Sequence, residues 1–137
     1  MAVTGIHHVG IAVDDLDAAI ERYVALVGAT VEHRERVEEQ GVEAASLRVG
    51  DSRIELLAPL AADTLVGRFL AKRGPGMHHV AFRTEDVAAE LAHARAGGSE
   101  LIDETPRRGM FGFQVGFVHP SSTGGVLAEF VGDDRDG

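Results

Sequence analysis

The sequence predicts an α+β fold built from two tandem βαβββ modules, and three observations support this prediction. The chain repeats itself at a spacing of 71 positions, each half begins with a strand followed by a helix, and the rest of each half has mainly strand patterns. With 137 residues, the chain has the length of one domain that buries a single continuous core. We therefore expect residues 1–137 to form one domain that contains both modules.

The internal repeat is clearest in two short segments, GIHHVGIAV and GMHHVAFRT, which each place a double histidine before an apolar strand. Shifting the chain by 71 positions aligns Gly5 with Gly76, His7 with His78, His8 with His79, Val9 with Val80, and Asp15 with Asp86. Repetition at a fixed spacing is the signature of a duplicated structural unit. We therefore predict module one at about residues 4–60 and module two at about residues 75–132.

Each module is predicted to carry one helix directly after its first strand. In module one, apolar residues recur at helical spacing at Leu16, Ile20, Tyr23, Val24 and Val27. Asp14 or Asp15 can cap the start of this helix, and Gly28 lies where a left-handed residue ends many helices. Module two repeats the pattern after Asp86.

The remaining segments are predicted to be strands, apart from a short helix at about residues 63–73 that links the modules. The strands predicted in module one are about 30–38, 42–49 and 53–58, with a hairpin turn at VGDSR. Those predicted in module two are a region around Leu101, 113–118 and 126–131. The linking helix places Val66, Phe69 and Leu70 on its apolar side and ends at Gly74.

The composition excludes several classes of function. There are 13 Lys and Arg residues against 22 Asp and Glu residues, and a formal net charge of −9 argues against nucleic acid as a partner. The chain contains no cysteine, so disulfides and thiolate metal sites are excluded. No apolar run approaches the roughly 20 residues that cross a bilayer, and no targeting segment is recognisable. We expect a cytoplasmic protein that binds no membrane.

One histidine of each module is predicted to face a shared hollow. In the first strand, His7 lies on the face that packs under the helix, whereas His8 lies on the other face with the small residues Gly10 and Ala12. The same alternation places His79 on the equivalent face of module two. A single histidine before a strand is more often an edge or core residue. Because the pattern is duplicated with the same alternation, it favours a common cavity.

The last strand of each module holds one carboxylate among apolar residues, Glu55 in RIELLAP and Glu129 in GVLAEFVG. Such a carboxylate is costly to bury unless it is paired, protonated or bound to a cation, and a solvent-facing edge strand is the alternative for either one alone. With His8 and His79, the two carboxylates make a donor set suited to a divalent cobalt, manganese, nickel or zinc ion. An octahedral ion would keep two positions open, whereas a structural zinc site is closed and tetrahedral.

The chain resembles the vicinal oxygen chelate superfamily, which includes the glyoxalase, bleomycin resistance and dioxygenase proteins, and within it the methylmalonyl-CoA epimerase family. The likeness covers essentially the whole length and is carried, in order, by HHVGIAVDDL, IELLAPL, RGPGMHHVAFRTEDV, LIDETPRRG, FVHP and GVLAEF. It implies paired βαβββ modules that form a cupped, incompletely closed mixed β-sheet around a metal site.

The resemblance also implies a homodimer with one divalent metal ion per active site, ligated at His8, Glu55, His79 and Glu129. Cobalt is favoured, with manganese, nickel and zinc as alternatives. In epimerases of this family glutamine can occupy the position of Glu55, whereas the glutamate found here also matches glyoxalase I. The metal preference and the subfamily therefore stay open.

The activity that the resemblance implies is the interconversion of (2R)- and (2S)-methylmalonyl-CoA. The carbon that inverts lies between a thioester carbonyl and a carboxylate, so loss of its proton creates an enolate that a metal can stabilise. The resemblance favours Glu43 as one acid/base group, on the apolar side of its strand and with a pKa raised by burial. The pattern alone favours a surface position for Glu43. Glu129 is the second candidate, and water or another residue is the alternative.

The substrate is an acyl-CoA thioester with an anionic nucleotide tail, so an acidic chain needs local basic groups to bind it. Candidates are Lys72 and Arg73 in AKRGPG, and Arg107 with Arg108 in TPRRGMFGF. Further candidates for substrate binding are Gly109 and Gly112, which permit a close approach, and Ser121 or Ser122 for the substrate carboxylate. A solvated surface is the alternative for each basic pair.

Three other activities fit a chain of this superfamily. Glyoxalase I would use the same four ligands to isomerise a glutathione hemithioacetal. An extradiol dioxygenase would bind iron through two histidines and one glutamate, and a fourth protein ligand counts against it. A metal-free drug-binding module shares the duplication but needs no set of histidine and glutamate ligands.

Overall fold

The computed structural model describes residues 3–132 and has a mixed α+β fold. Within these residues, the regular elements are eight strands and three α-helices. The first module contains β1 (Val3–Ala12), α1 (Leu16–Val27), β2 (Thr30–Val37), β3 (Val42–Val49) and β4 (Ser52–Pro59). The second contains β5 (Gly76–Thr84), α3 (Val87–Ala96), β6 (Arg107–Arg108), β7 (Gln114–Val118) and β8 (Ala128–Gly132), and α2 (Leu65–Arg73) links the two. The predicted α+β class and the repeated βαβββ order are confirmed.

The helices begin and end where the sequence places their capping residues. The Asp15 carboxylate accepts a hydrogen bond of 3.1 Å from the backbone N–H of Ala18, and Asp86 does the same for Ala89 at 3.0 Å. These bonds satisfy amide groups that have no partner inside the helix. Gly28 ends α1 in the left-handed region with φ of 68°. The duplicated aspartates therefore perform the same function in both modules.

The described chain divides into two compact units that do not coincide with the modules. The first unit comprises residues 8–78, and the second comprises residues 3–7 together with 79–132. Each boundary falls between the two histidines of a pair, so that His7 and His8 belong to different units, as do His78 and His79. The prediction that residues 1–137 form one domain stays a prediction.

The first unit is a four-stranded sheet with the strand order β2-β3-β4-β1 and with α1 packed on one face. Strand β3 runs antiparallel to β2 and β4, and β1 runs parallel to β4. The core under α1 consists of Val13, Leu16, Ala19, Ala29, Ala45, Leu47 and Leu56. Residues of the strands that alternate with this set lie on the opposite face, which we call the histidine face because it carries His8, with Ser46 and Glu55.

The second unit has the strand order β5-β8-β7-β6, with α3 packed against β7 and β8. Gly116 on β7 allows this approach, because a Cβ atom there would lie 2.7 Å from Cδ1 of Leu91 on α3. On the other side of these strands, Ala81, Val115 and Val131 form a small buried cluster. Strands β7 and β8 thus pack against α3 on one face and carry an apolar cluster on the other.

One predicted strand differs from the structure. Leu101 makes only an isolated bridge to Val118, and the strand that pairs with β7 is β6, six residues later. The intervening segment carries Pro106, which has no N–H to donate to a ladder, and it lacks the alternation of a half-buried strand. Among the described residues, none of the helices is long and apolar enough to cross a membrane.

Candidate metal centre and substrate site

In the first unit, one histidine and one carboxylate meet on the histidine face. The parallel register of β1 and β4 places Gly10 opposite Glu55, and Gly10 has no side chain to fill the space beside the carboxylate. The ring of His8 lies there, with Nε2 at 3.6 Å from Oε2 of Glu55. Both side chains are buried, with 5% and 11% of their surface exposed. His8 and Glu55, two of the four predicted metal ligands, therefore lie next to each other in the first unit.

The second unit repeats this construction with equivalent residues. The parallel register of β5 and β8 places the small residue Ala81 opposite Glu129, as Gly10 lies opposite Glu55. His79 Nε2 is 3.1 Å from Glu129 Oε1, and the two side chains are only 2% and 4% exposed. The ring of His79 is packed edge-on against Phe117, with a centroid distance of 5.7 Å. The duplication has therefore preserved a buried imidazole and carboxylate pair in each unit.

The chemistry of the two pairs fits a divalent metal ion. Imidazole nitrogen and carboxylate oxygen are ligands that zinc, cobalt, nickel and manganese accept. Two such donors at about 2.1 Å from one ion lie about 3 Å apart when they subtend a right angle at it. The separations of 3.1 Å and 3.6 Å are close to this value, although 3.1 Å also suits a direct hydrogen bond. Each unit can thus supply one nitrogen and one oxygen ligand.

Glu43 lies on the core face of the first unit, away from Glu55. In the antiparallel register of β3 and β4, Glu43 is opposite the core-packed residue Ala58, whereas Glu55 is opposite Ser46. The Glu43 side chain is 42% exposed and accepts a hydrogen bond of 3.1 Å from Nε of Arg34. The expectation that Glu43 is buried and approaches the same cavity as Glu55 is wrong, because the apolar side of β3 is the side that packs under α1.

A carboxylate on β2 that was not predicted from the sequence, Glu32, belongs to a polar network beside Glu55. Glu32 occupies a β-bulge and accepts hydrogen bonds from Ser46 Oγ at 2.8 Å and from Arg53 Nε at 2.5 Å. Burial raises the pKa of Glu32, but these hydrogen bonds and the charges of Arg53 and Arg48 outweigh it, so the pKa lies below its ordinary value of 4.5. A bulge leaves no signal in residue alternation, which explains why the network was not predicted.

An imidazole and carboxylate pair on β2 was also missed. The ring of His33 lies opposite Ser46 and Glu35 lies opposite Ala44, so both side chains lie on the histidine face. Nε2 of His33 and Oε1 of Glu35 are 2.7 Å apart. The only available sequence signal was the spacing of two residues between His33 and Glu35, which puts both on one face of a strand.

In the second unit, Arg107 is linked to His79 through one aromatic ring. The guanidinium of Arg107 lies over the ring of Phe117, with its carbon 5.5 Å from the centroid, and the same ring contacts His79. Asp103 holds this arrangement, since one oxygen lies 3.2 Å from Arg107 Nε and the other accepts a hydrogen bond from the backbone N–H of Phe117. Arg107 and the predicted metal ligand His79 thus contact the same ring in the second unit.

Of the other basic candidates, Arg108 follows Arg107 in β6, whereas Lys72 and Arg73 lie at the end of α2 in the first unit. Lys72 and Arg73 occupy the last turn, where positive charge is favourable next to the helix C-terminus. The guanidinium of Arg73 lies over the ring of Phe69, 5.8 Å from its centroid, and Phe69 in turn packs against His78. A role of these residues in substrate binding stays a prediction.

The predicted glycines and serines lie in two turns of the second unit. Gly109 precedes a short 3₁₀ turn and Gly112 is its last residue, and Phe111 within the turn has a positive φ of 63°, uncommon for a residue with a side chain. Ser121 and Ser122 lie in the turn between β7 and β8, where Ser122 Oγ accepts a hydrogen bond from the backbone N–H of Glu100. A role of these glycines and serines in substrate binding stays a prediction.

Comparison with protein families gives one match that covers most of the chain. The model of the Glyoxalase/Bleomycin resistance protein/Dioxygenase superfamily matches residues 7–117. Among curated proteins, the uncharacterized protein YqjC of Bacillus subtilis is 39% identical over 122 residues, which are 89% of this chain and 87% of that protein.

Two solved structures resemble the chain over nearly its whole length. The methylmalonyl-CoA epimerase of Mycobacterium tuberculosis is 42% identical, with a TM-score of 0.94 over 98% of this chain and 91% of that one. A methylmalonyl-CoA epimerase in complex with methylmalonyl-CoA and NH4+ is 44% identical, with a TM-score of 0.95 over 98% of this chain and 97% of that one.

Proposed function

Because the chain belongs to the glyoxalase/bleomycin resistance protein/dioxygenase superfamily, we propose that it is a metal-dependent epimerase that interconverts (2R)- and (2S)-methylmalonyl-CoA. The observation that carries this proposal is the similarity, at 44% identity over 98% of the chain, to a methylmalonyl-CoA epimerase in complex with methylmalonyl-CoA. The sequence resemblance to the vicinal oxygen chelate superfamily is confirmed by the match to its family model.

In this proposal, His8, Glu55, His79 and Glu129 hold one divalent ion, with Co²⁺ favoured over Mn²⁺, Ni²⁺ and Zn²⁺. Support comes from the two buried pairs, since a carboxylate as little exposed as Glu129 is costly to keep without a cation or a charged partner. A bound ion would supply Lewis-acid stabilisation to the charge that develops on the thioester oxygen. The chain itself must bind the acyl-CoA, orient C2 and move its proton.

The substrate tail requires positive charge, because the chain carries a net charge of −9 and the CoA moiety is anionic. Arg107 is the basic residue best supported for this role, since Asp103 and Phe117 fix its guanidinium. We assign Lys72, Arg73, Gly109, Gly112 and Ser121 or Ser122 to the same binding surface as further candidates. The proposal also includes a homodimer and a cytoplasmic location.

Deuterium incorporation at C2 tests the proposed reaction. The cobalt-loaded protein is incubated with (2R)- or (2S)-methylmalonyl-CoA in deuterated water, and C2 is followed by NMR and by separation of the epimers. Epimerisation accompanied by deuterium at C2 is expected. If C2 keeps both its hydrogen and its configuration at every metal loading, the proposed activity is wrong.

Glyoxalase I activity is the second candidate, because both ligand pairs contain a carboxylate and Glu55 matches the glyoxalase set. The test is isomerisation of the hemithioacetal formed from methylglyoxal and glutathione, followed by its absorbance. A metal-free drug-binding module would have no need of two buried pairs such as His79 with Glu129. Purification without bound metal, together with tight antibiotic binding, would favour that third possibility.

A further inference from the structure

The displacement of Glu43 from the histidine face leaves the proton transfer without the acid/base group expected from the sequence. Within strands β1–β4 of the described chain, the acidic residues whose positions lie on or beside that face are Glu32, Glu35 and Glu55. Glu55 is paired with His8 as a proposed metal ligand, and a carboxylate held by a cation is a poor base. The choice on this face is therefore between Glu32 and Glu35.

Glu32 is unsuited to take a proton near neutral pH. Arg53, Arg48 and the Ser46 hydroxyl surround its two oxygens at 2.5 Å, 3.6 Å and 2.8 Å. Opposite charges and hydrogen bonds of this kind favour the ionised carboxylate, and they lower its basicity. Glu32 instead neutralises the largely buried Arg53 beside the metal ligand Glu55.

Glu35 has the partner that an acid/base group needs. Its Oε1 lies 2.7 Å from Nε2 of His33, and its side chain is 16% exposed, so it is held in place and still reaches solvent. Histidine is the side chain whose ordinary pKa lies nearest neutrality, so it can orient a carboxylate without fixing a permanent positive charge beside it.

Glu35 and the proposed metal ligand Glu55 lie two strands apart on the histidine face, with the small residues Ala44 and Ser46 on the strand between them. Glu35 lies opposite Ala44, and His33 lies opposite Ser46, which in turn is opposite Glu55. Two strand spacings of about 4.8 Å separate β2 from β4, and Glu35 lies two residues along from the row of His33 and Glu55, so Glu35 and Glu55 are about 12 Å apart at the backbone. In the proposal, the acyl group of the substrate bridges this interval between the ion and Glu35.

We propose that Glu35 is a catalytic acid/base residue of the epimerisation and that His33 is its positioning residue. This inference rests on the proposed function and replaces Glu43 in it. The Glu35 carboxylate accepts the proton from one face of C2, and the C–H electron pair moves into an enolate with its charge on the thioester oxygen. A donor on the opposite face returns a proton to C2 and gives the other epimer. Glu35 releases its proton to water, and the donor regains one from water, so protons and charge balance.

The test measures deuterium exchange separately for each epimer in deuterated water, with wild type and Glu35→Gln. General acid/base groups contribute about 100-fold or more to rate. Glu35→Gln should therefore lower inversion by about 100-fold, and it should lower C2 exchange by a similar factor for the one epimer whose hydrogen faces Glu35. The other epimer should keep its exchange, because its proton is taken from the opposite face. A purely structural role would slow the exchange of both epimers equally.

Two matched controls use carboxylates outside the proposed pair. Glu38→Gln breaks the pair of Glu38 with Arg36, which has the same two-residue spacing but lies exposed in the same part of the chain. Glu43→Gln breaks the pair with Arg34 on the core face. Both variants should exchange and invert both epimers at the wild-type rate within about twofold, as expected for exposed pairs.

Two further variants decide the outcome if Glu35→Gln does not fold. Glu35→Asp keeps a carboxylate, so it should slow C2 exchange only for the epimer whose hydrogen faces residue 35. His33→Gln should lower kcat by about 10-fold and leave KM within about twofold of the wild-type value. If a folded Glu35 variant that binds metal exchanges C2 of both epimers equally, the assignment of Glu35 as an acid/base residue is wrong. Epimerisation by the wild type would still support the proposed function in that case. Absence of epimerisation by wild type would overturn both.

Discussion

At the scale of single residues, the four predicted metal ligands form two buried pairs of histidine and glutamate. Strand alternation and duplication were enough to select His8, Glu55, His79 and Glu129 from all the acids and histidines of the chain. The structure pairs them within each unit at 3.6 Å and 3.1 Å. These residues stand out in the sequence because a carboxylate inside an apolar strand is rare without a compensating charge, and their role as metal ligands stays a prediction.

Glu43 shows where alternation fails at this scale. Alternation says that Glu43 shares a face with Ala45 and Leu47, and this is correct in the structure. It cannot say whether that face packs under a helix or carries the ligands, because both faces of β3 are rich in buried residues. The bulge at Glu32 is equally invisible, since it depends on pairing between two strands rather than on one segment.

Glu129→Gln should lower the affinity for a divalent ion by about 100-fold or more, because a neutral amide replaces a buried charged ligand. The metal content after dialysis and the dissociation constant for Co²⁺ by titration calorimetry measure this effect. Glu104→Gln, which alters an exposed carboxylate paired with Arg95 in the same unit, should bind metal as wild type does. Undiminished Co²⁺ binding by a folded Glu129→Gln variant would remove Glu129 from the ligand set.

At the scale of elements, the helices follow from local sequence and the short strands do not. Caps such as Asp15 and Asp86 act on amides three residues away, so the sequence contains all that determines them. Strand β6 consists of Arg107 and Arg108 and exists only because β7 pairs with it. Such a pairing has no local signature, which is why the region around Leu101 was predicted instead.

Gly67→Ala should destabilise the protein although alanine favours helix over glycine by about 1 kcal/mol. A Cβ atom at this position in α2 would lie 2.5 Å from the backbone oxygen of Ala61 and 2.7 Å from that of Ala62. Backbone atoms cannot turn away as a side chain can, so we expect a loss of about 1–3 kcal/mol in the free energy of unfolding. Urea unfolding followed by circular dichroism measures it.

The matched control for this prediction is Gly97→Ala at the end of α3. The nearest atom to an added Cβ there lies at 3.5 Å, an ordinary contact, and the φ of −80° is open to alanine. Its free energy of unfolding should stay within about 0.5 kcal/mol of wild type. Equal stabilities of the Gly67 and Gly97 variants would show that α2 can move away from residues 61–62.

At the scale of the whole molecule, the duplication has kept the ligand pairs and changed the residues around them. In the first unit, Glu55 stands beside the hydrophilic residues Ser46 and Arg53. In the second, Glu129 stands opposite Ala81 and Phe117, beside an apolar cluster. The order of elements was predictable from the repeat, whereas this division between a polar and an apolar module depends on residues that differ between the repeats.

Arg107→Ala should raise KM for methylmalonyl-CoA by about 10-fold and leave kcat within about threefold, because it removes a local positive charge that binds an anion. The effect should be large in a chain whose net charge of −9 repels the substrate. Steady-state kinetics at fixed ionic strength measures it. Arg95→Ala removes an exposed arginine paired with Glu104 and should leave KM unchanged. If Arg107→Ala and Arg95→Ala raise KM equally, the effect comes from the net charge of the chain and not from the position of Arg107.

The boundaries of the two compact units, between His7 and His8 and between His78 and His79, determine which fragments of the chain contain a complete unit. A fragment that stops in the loop after α2 would lack the last residues of the first unit and would carry residues 3–7, which belong to the second unit. The complementary fragment would lack residues 3–7 of the second unit. Neither half of the gene, expressed alone, therefore encodes one complete compact unit.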